Sequence, residues 1–226
     1  MWKLLTPLAC LATTGLVYSL QTNSVPAVQS FDEIELYLQA HAADESGEII
    51  LRVEGQEEMK RLTVKDPFGA MVYDLHFDDP AGLGSSEVHI ESGEPSLPMM
   101  RKSVPEGSYE IVALTQAGGT IVGHATLRFD LPSRFGWTTP APGGVLPAEN
   151  AVLAWVDQPN VAAYTLEVDD QDDDPRMTVH LPAGTAHFQV PAAVLTPGST
   201  HKAVLTAILE GSGNRLVQEL PFFVLP

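Results

Sequence analysis

The amino-acid sequence predicts an all-β protein, in which an N-terminal signal peptide precedes two antiparallel β-sandwich domains. Three observations lead to this prediction. Several segments alternate apolar and polar residues, as strands with one buried face do. Turn-forming combinations of Gly, Pro, Asp and Ser separate these segments at short intervals, which is typical of sandwiches and barrels. A proline- and glycine-rich stretch then divides the chain into two parts of similar length.

The composition limits the classes of function. The chain has 226 residues, with 29 acidic against 12 basic side chains and a formal net charge of −17 at pH 7. Nucleic acids and anionic membranes are both bound by basic surfaces, so neither is an expected partner. The single cysteine, Cys10, excludes a disulfide framework and a cysteine-rich metal site.

Residues 1–27 have the pattern of a secretory signal peptide. Lys3 supplies a positive charge, and a mostly apolar run follows over residues 4–20. Plausible cleavage points follow Ser19 and Ala27. An uncleaved anchor and a lipoprotein signal are the alternatives. Cleavage predicts an exported protein, periplasmic or extracellular, that is not integral to the membrane.

The first predicted sandwich domain covers residues 28–132. Its clearest alternating segments are residues 34–40, 73–77 and 125–131. The sequence Asp-Pro-Phe-Gly at residues 66–69 predicts a tight turn, because proline presets φ for the second position and glycine suits the fourth. One stretch, residues 96–103, is compatible with a helix, which Pro98 limits to about two turns.

Residues 133–139 are predicted to be the linker. They lie within residues 131–144, which contain three prolines and three glycines and show no apolar period. Trp137 falls in this linker, so it is expected to matter far less for stability than a core tryptophan.

The second predicted domain covers residues 140–226. Strands are expected at residues 151–155, 164–168, 185–190, 202–208 and 215–224. Leu153 and Trp155 are expected to point inward, and Tyr164 begins a cleanly alternating strand.

The order L-x-W, Y-x-L-E-V and L-x-P-G in residues 153–198 resembles a fibronectin type III domain. The resemblance implies an immunoglobulin-like sandwich, with the tryptophan and the tyrosine filling the space between the sheets. The sequence departs from the family at His201, where a tyrosine usually ties the corner to nearby backbone. A histidine can donate a similar hydrogen bond but fills less volume.

The first part resembles the N-terminal domain of a group of uncharacterised exported bacterial proteins that also end in a fibronectin type III domain. The matching segments are residues 31–36, 61–69, 90–95 and 104–110. This resemblance implies no activity, and its motifs look architectural.

A search for catalytic chemistry gives no catalytic, cofactor-binding or metal-binding residues. The sequence has no nucleophile elbow, no P-loop and no H-E-x-x-H motif. His76 and His124 are expected to face solvent, while His180 and His187 could approach each other across adjacent strands. The acidic pairs Glu33/Glu35 and Asp78/Asp79 fit solvated faces better than a glycosidase site.

The one concentrated charged feature is the run Asp169–Asp174. Asp170, Asp172 and Asp174 match the opening of a calcium loop, but Pro175 stands where that loop needs glycine. We expect a charged, solubilising loop that is splayed or disordered, with calcium binding as the alternative.

These observations predict an exported, non-enzymatic binding or scaffolding protein that needs no cofactor. Its expected partner is another protein or an extracellular polymer, and the oligomeric state stays open. The alternative is a small exported hydrolase or an accessory carbohydrate-binding module. Converging carboxylates in a cleft, or a row of exposed aromatic side chains, would favour that alternative.

Overall fold

A computed structural model describes residues 30–77 and 84–226, which confirm the predicted all-β class. The predicted signal peptide and the Asp78/Asp79 pair lie outside these residues. Strand pairing is antiparallel, apart from two parallel pairings that involve the last strand. The described strands form an 11-stranded sheet and a 3-stranded sheet.

The first half of the described chain has six strands and one helix. They are β1 (Glu33–His41), β2 (Gly47–Lys65), β3 (Met71–His76), β4 (Ser85–Glu91), α1 (Leu97–Ser103), β5 (Gly107–Thr115) and β6 (Thr120–Leu127). The helix has the predicted position and length. The turn at residues 66–69 also forms as predicted, since Gly69 takes a φ of 83° and its N–H donates to the Asp66 carbonyl oxygen.

Strand β2 builds both layers of the first half. Its first part pairs with β1 and β4, and its second part pairs with β3 and β5. The register shifts between Glu54 and Met59, where the strand passes from one layer to the other. Apolar side chains from both parts of β2 meet those of β5 and β6 in one core cluster.

The second half contributes eight strands: β7 (Trp137–Thr139), β8 (Val145–Leu146), β9 (Val152–Trp155), β10 (Val161–Asp169), β11 (Pro175–Pro182), β12 (His187–Gln189), β13 (Thr200–Leu209) and β14 (Arg215–Val224). A 3-10 turn occupies Ala192–Val194. Strands β12, β9 and β7 form the small sheet, and β11, β10, β13 and β14 lie opposite it. The two sheets enclose a second core cluster.

Trp155 lies in the centre of this second core, as predicted. It is 2% exposed, and its ring centroid is 5.7 Å from that of Tyr164 and 5.9 Å from that of Trp137. Tyr164 donates its hydroxyl hydrogen to Asp157 and accepts the N–H of Gln158. Burial raises the pKa of this hydroxyl to about 12, so it remains a neutral donor.

His201 takes the corner position with both of its ring nitrogens engaged. The ring is 1% exposed, and its Nε2 accepts the N–H of Thr196 at 3.0 Å. Nδ1 must therefore carry the proton, which it donates to the carbonyl oxygen of Asp169 at 3.0 Å. The two ring nitrogens of His201 thus bond to the backbone of two separate segments, at Thr196 and at Asp169.

Part of the predicted linker is structured. Residues 137–139 form β7, which pairs with β9, and Phe135 is 3% exposed within the second core. Trp137 packs its ring edge-on against Trp155, and its expected smaller effect on stability stays a prediction. The division of the chain into two domains stays a prediction.

The two halves share one sheet through β1. Residues Gln39–His41 of β1 pair in parallel with Arg215–Val217 of β14. Along the inner face of β1, Leu38 belongs to the first core cluster, whereas Ala40 belongs to the second. The strand predicted at residues 125–131 ends at Leu127. Beyond it, the backbone carbonyl oxygens of Arg128 and Asp130 accept hydrogen bonds from the side chain of Asn214, which is fully buried.

Replacing Trp155 tests the centre of the second core. Trp155→Ala should lower the free energy of unfolding by about 3–5 kcal/mol, because it removes a large buried ring and leaves a cavity. Trp137→Ala should cost less but remain measurable, because Trp137 is half-buried against that ring. Chemical denaturation measures both losses. Equal losses in the two variants would contradict this arrangement.

Candidate functional site

The candidate site is an apolar cleft between the two layers of the first half. It encloses about 200 Å³. One wall carries Leu36, Ile49 and Ile90, from β1, β2 and β4. The other wall carries Val64, from the second part of β2, and Tyr73, from β3. The crossing of β2 between the layers therefore places both walls, which come from widely separated parts of the sequence.

Two hydroxyls of the cleft, those of Tyr109 and Ser92, are bonded to backbone. Tyr109 is 4% exposed and donates its hydroxyl hydrogen to the carbonyl oxygen of Pro105 at 2.9 Å. Burial raises the pKa of Tyr109 to about 12, so the hydroxyl stays neutral. The Ser92 hydroxyl accepts the N–H of Ile49 and donates to the Gly93 carbonyl oxygen. These hydroxyls are not aligned with a base, so the cleft is chemically suited to hold an apolar group.

A second apolar hollow of about 330 Å³ continues the cleft along α1. The two share Ile49, Ser92, Ser103 and Val104. Met99 borders the second hollow and is 60% exposed, whereas the adjacent Met100 is buried at 2%. Methionine side chains are flexible and polarizable, so this edge can adapt its shape to an apolar ligand.

The aspartate run forms a closed turn, and the expectation of a splayed or disordered loop is wrong. The Asp170 carboxylate turns inward, where Oδ1 accepts the N–H groups of Asp172 and Asp174 at 2.9 and 3.1 Å. The N–H of Asp170 also donates to the carbonyl oxygen of Asp174. Asp173 takes a φ of 62°, which an aspartate tolerates better than most residues.

A lysine side chain balances part of this negative charge. Lys202 Nζ lies 2.8 Å from Asp173 Oδ1 and 3.4 Å from Asp169 Oδ2. Asp173 holds the pKa of this lysine above its usual value. The described residues do contain a group of side chains whose ligand atoms lie close enough together to bind a metal ion. This group lies elsewhere, at His41, Glu48 and Glu94. The geometry thus favours the charged-loop interpretation of the run.

The remaining candidates do not come together. His76 and His124 are exposed, as expected. His180 lies on β11 opposite Thr165, whereas His187 lies on β12 in the other sheet, so the expected approach across adjacent strands is wrong. In the described residues, the exposed large hydrophobic side chains include two aromatic ones, Phe68 and Phe223, which lie in different halves.

Sequence reasoning missed the cleft and the histidine–glutamate group. The cleft residues come from several strands and a loop, and each looks like an ordinary core position. His41 and Glu48 flank one hairpin turn, which was a usable signal, but Glu94 joins them only through the tertiary fold.

No family model and no curated protein matches the sequence. Solved structures similar to the chain include a two-domain fibronectin type III segment of chicken tenascin, at 13% identity and a TM-score of 0.30, covering 85% of this chain and 99% of that one. Fibronectin domains FN1–FN3 of chicken CNTN1 match at 11% identity and a TM-score of 0.36, covering 84% and 66%.

A tetra-tandem repeat from a large adhesion protein matches at 13% identity and a TM-score of 0.31, covering 84% of this chain and 48% of that one. These neighbours are fibronectin type III and adhesion-protein structures. Of its described helices, none has the length and apolar character needed to cross a membrane.

The aspartate turn predicts a pH dependence of stability. The hydrogen bond from the N–H of Asp172 is the main reason why the pKa of the Asp170 carboxyl lies below its ordinary value. Because the folded pKa is lower than the unfolded one, the stabilisation is present above the unfolded pKa of about 4 and is lost as the pH falls through the folded value.

Asp170→Asn should therefore lose less stability than the wild type between pH 6 and pH 3. Chemical denaturation at each pH measures this difference. Asp172→Asn is the matched control, since it removes the same charge from a side chain that accepts none of these hydrogen bonds. If the stability of Asp170→Asn depends on pH in the same way as that of the wild type, the Asp170 hydrogen bonds do not cause the pH dependence.

Proposed function

We propose that this chain is an exported, non-enzymatic binding protein that holds an apolar side chain of a protein partner in its cleft. The size of the cleft carries the proposal. A cavity of about 200 Å³ is smaller than the roughly 300–1,000 Å³ of typical small-molecule sites. It can take one large side chain, and the adjoining hollow beside α1 leaves room for the neighbouring part of a partner.

Charge selects the kind of partner. The chain carries a net charge of −17, and Asp66 stands among the cleft residues. Opposite charge speeds encounter and excludes partners of the wrong sign. We therefore expect a basic segment in which a large apolar residue is flanked by Lys or Arg, with binding that weakens as salt is added.

The alternative functions have less support in the described residues. A hydrolase needs an activated nucleophile or a pair of carboxylates that face a substrate, but the Ser92 and Tyr109 hydroxyls of the cleft donate to backbone carbonyl oxygens. A carbohydrate-binding module would use a row of exposed aromatic rings, whereas Phe68 and Phe223 lie far apart in the sequence and in different sheet regions.

Selection from a displayed library of random peptides tests this proposal. Peptides that bind the protein should share a large apolar residue beside basic residues. Their affinity should fall at least tenfold in Ser103→Trp, because Ser103 borders both hollows and the added ring would fill their common mouth.

Ser108→Trp is the matched control, since Ser108 is exposed on β5 away from the cleft. Fluorescence anisotropy measures the affinities, and circular dichroism confirms that both variants fold. The proposal is overturned if selection yields no such peptides, or if the peptides bind Ser103→Trp and Ser108→Trp equally well.

A further inference from the structure

Three metal-ligating side chains from separate segments meet beside the junction of the two halves. His41 ends β1, Glu48 lies near the start of β2, and Glu94 belongs to the segment that precedes α1. Each offers one ligand atom, and these atoms all lie within 4.8 Å of one another. Two of the three ligand atoms are carboxylate oxygens, which lie at this short distance from each other.

The fold holds the three segments in place. Glu48 pairs with Gln39 in the β1–β2 hairpin. The segment that carries Glu94 is tied to the hairpin by two backbone hydrogen bonds, from the Gly47 N–H to the Pro95 carbonyl oxygen and from the Leu97 N–H to the Glu45 carbonyl oxygen. The arrangement is therefore built by tertiary structure, unlike a chance meeting of mobile surface groups.

Glu48 is buried, His41 is half-buried, and one ring nitrogen of His41 lacks a partner. The Nε2 atom of His41 is inaccessible to solvent and has no hydrogen-bond partner among the described residues. Glu48 is 8% exposed, and its Oε1 accepts a hydrogen bond of 2.8 Å from Gln39 Nε2. Buried polar atoms without partners are uncommon in native proteins, so each such atom calls for an explanation. A cation between the three side chains would supply one.

We propose that His41, Glu48 and Glu94 bind a divalent transition-metal ion. One imidazole nitrogen with two carboxylate oxygens is a donor set suited to Zn²⁺ and its neighbours in the first transition row. Ca²⁺ and Mg²⁺ prefer six or more oxygen ligands, which this group does not provide. The Gln39 amide orients the Glu48 carboxylate, as outer partners of metal ligands do.

The position of the site assigns it a structural effect. His41 is aligned with Val217 of β14 in the parallel pairing that joins the two halves. A bound ion would connect the β1–β2 hairpin to the segment before α1, and it would do so next to the pairing of β1 with β14. The ion should therefore raise the thermal stability of the whole protein, because it binds the folded state and not the unfolded chain.

The test is a titration of untagged, chelator-treated protein with Zn²⁺, followed by calorimetry and thermal unfolding. We expect one equivalent to bind and the midpoint of unfolding to rise. His41→Gln should weaken binding at least tenfold and abolish the rise. His124→Gln, which removes an exposed histidine from β6, should bind Zn²⁺ as the wild type does.

Glu94→Gln is a second test that remains valid if His41→Gln misfolds, because Glu94 is exposed and its replacement should leave the fold intact. It too should weaken binding at least tenfold. Absence of stoichiometric binding, or wild-type affinity in both His41→Gln and Glu94→Gln, would overturn the proposal. Equal binding of Ca²⁺ and Zn²⁺ would overturn the assignment to a transition metal.

Discussion

The side-chain amide of Asn214 joins three segments of the chain at one fully buried point. Its Oδ1 accepts the N–H of Leu38 at 2.9 Å, and its Nδ2 donates to the carbonyl oxygens of Arg128 and Asp130 at 3.0 and 2.6 Å. An amide side chain offers the same donor and acceptor as a peptide group. It therefore extends the pairing of β14 with β1 by one step beyond the last paired residues, Arg215 and Gln39.

The rest of the architecture depends on this contact because β1 serves both halves. The amide holds the start of β14 against β1, and it also holds the segment that follows β6. Leu36 on β1 lines the cleft, Leu38 and Ala40 enter the two cores, and His41 belongs to the proposed metal site. One strand thus connects the candidate cleft, both hydrophobic cores and the proposed metal site, so disorder at the junction should reach all of them.

The sequence was informative where local patterns determine structure. The inward positions of Leu153 and Trp155 follow from strand periodicity, and the turn at residues 66–69 follows from its proline and glycine. The buried position of Tyr164 was implied by the resemblance to a fibronectin type III domain. The parallel pairing of β1 with β14 connects residues about 175 positions apart, and no local pattern encodes it. The cleft was hidden for the same reason, since its two walls are created by the passage of β2 between layers. The Asp170 carboxylate accepts two backbone N–H groups of its own turn, and a run of like charges in the sequence does not indicate such a turn.

Chemical denaturation of Asn214→Ala tests the central claim most directly. The substitution leaves one buried N–H and two carbonyl oxygens without their partner, and each such group costs about 1–3 kcal/mol. We expect the free energy of unfolding to fall by about 3 kcal/mol or more, both in tryptophan fluorescence, which reports on Trp137 and Trp155, and in far-ultraviolet circular dichroism. Gln56→Ala, which removes an exposed amide bonded to Asp32, should change it by less than about 0.5 kcal/mol. A loss below about 1 kcal/mol in Asn214→Ala would contradict the account, because the junction would then hold without its amide.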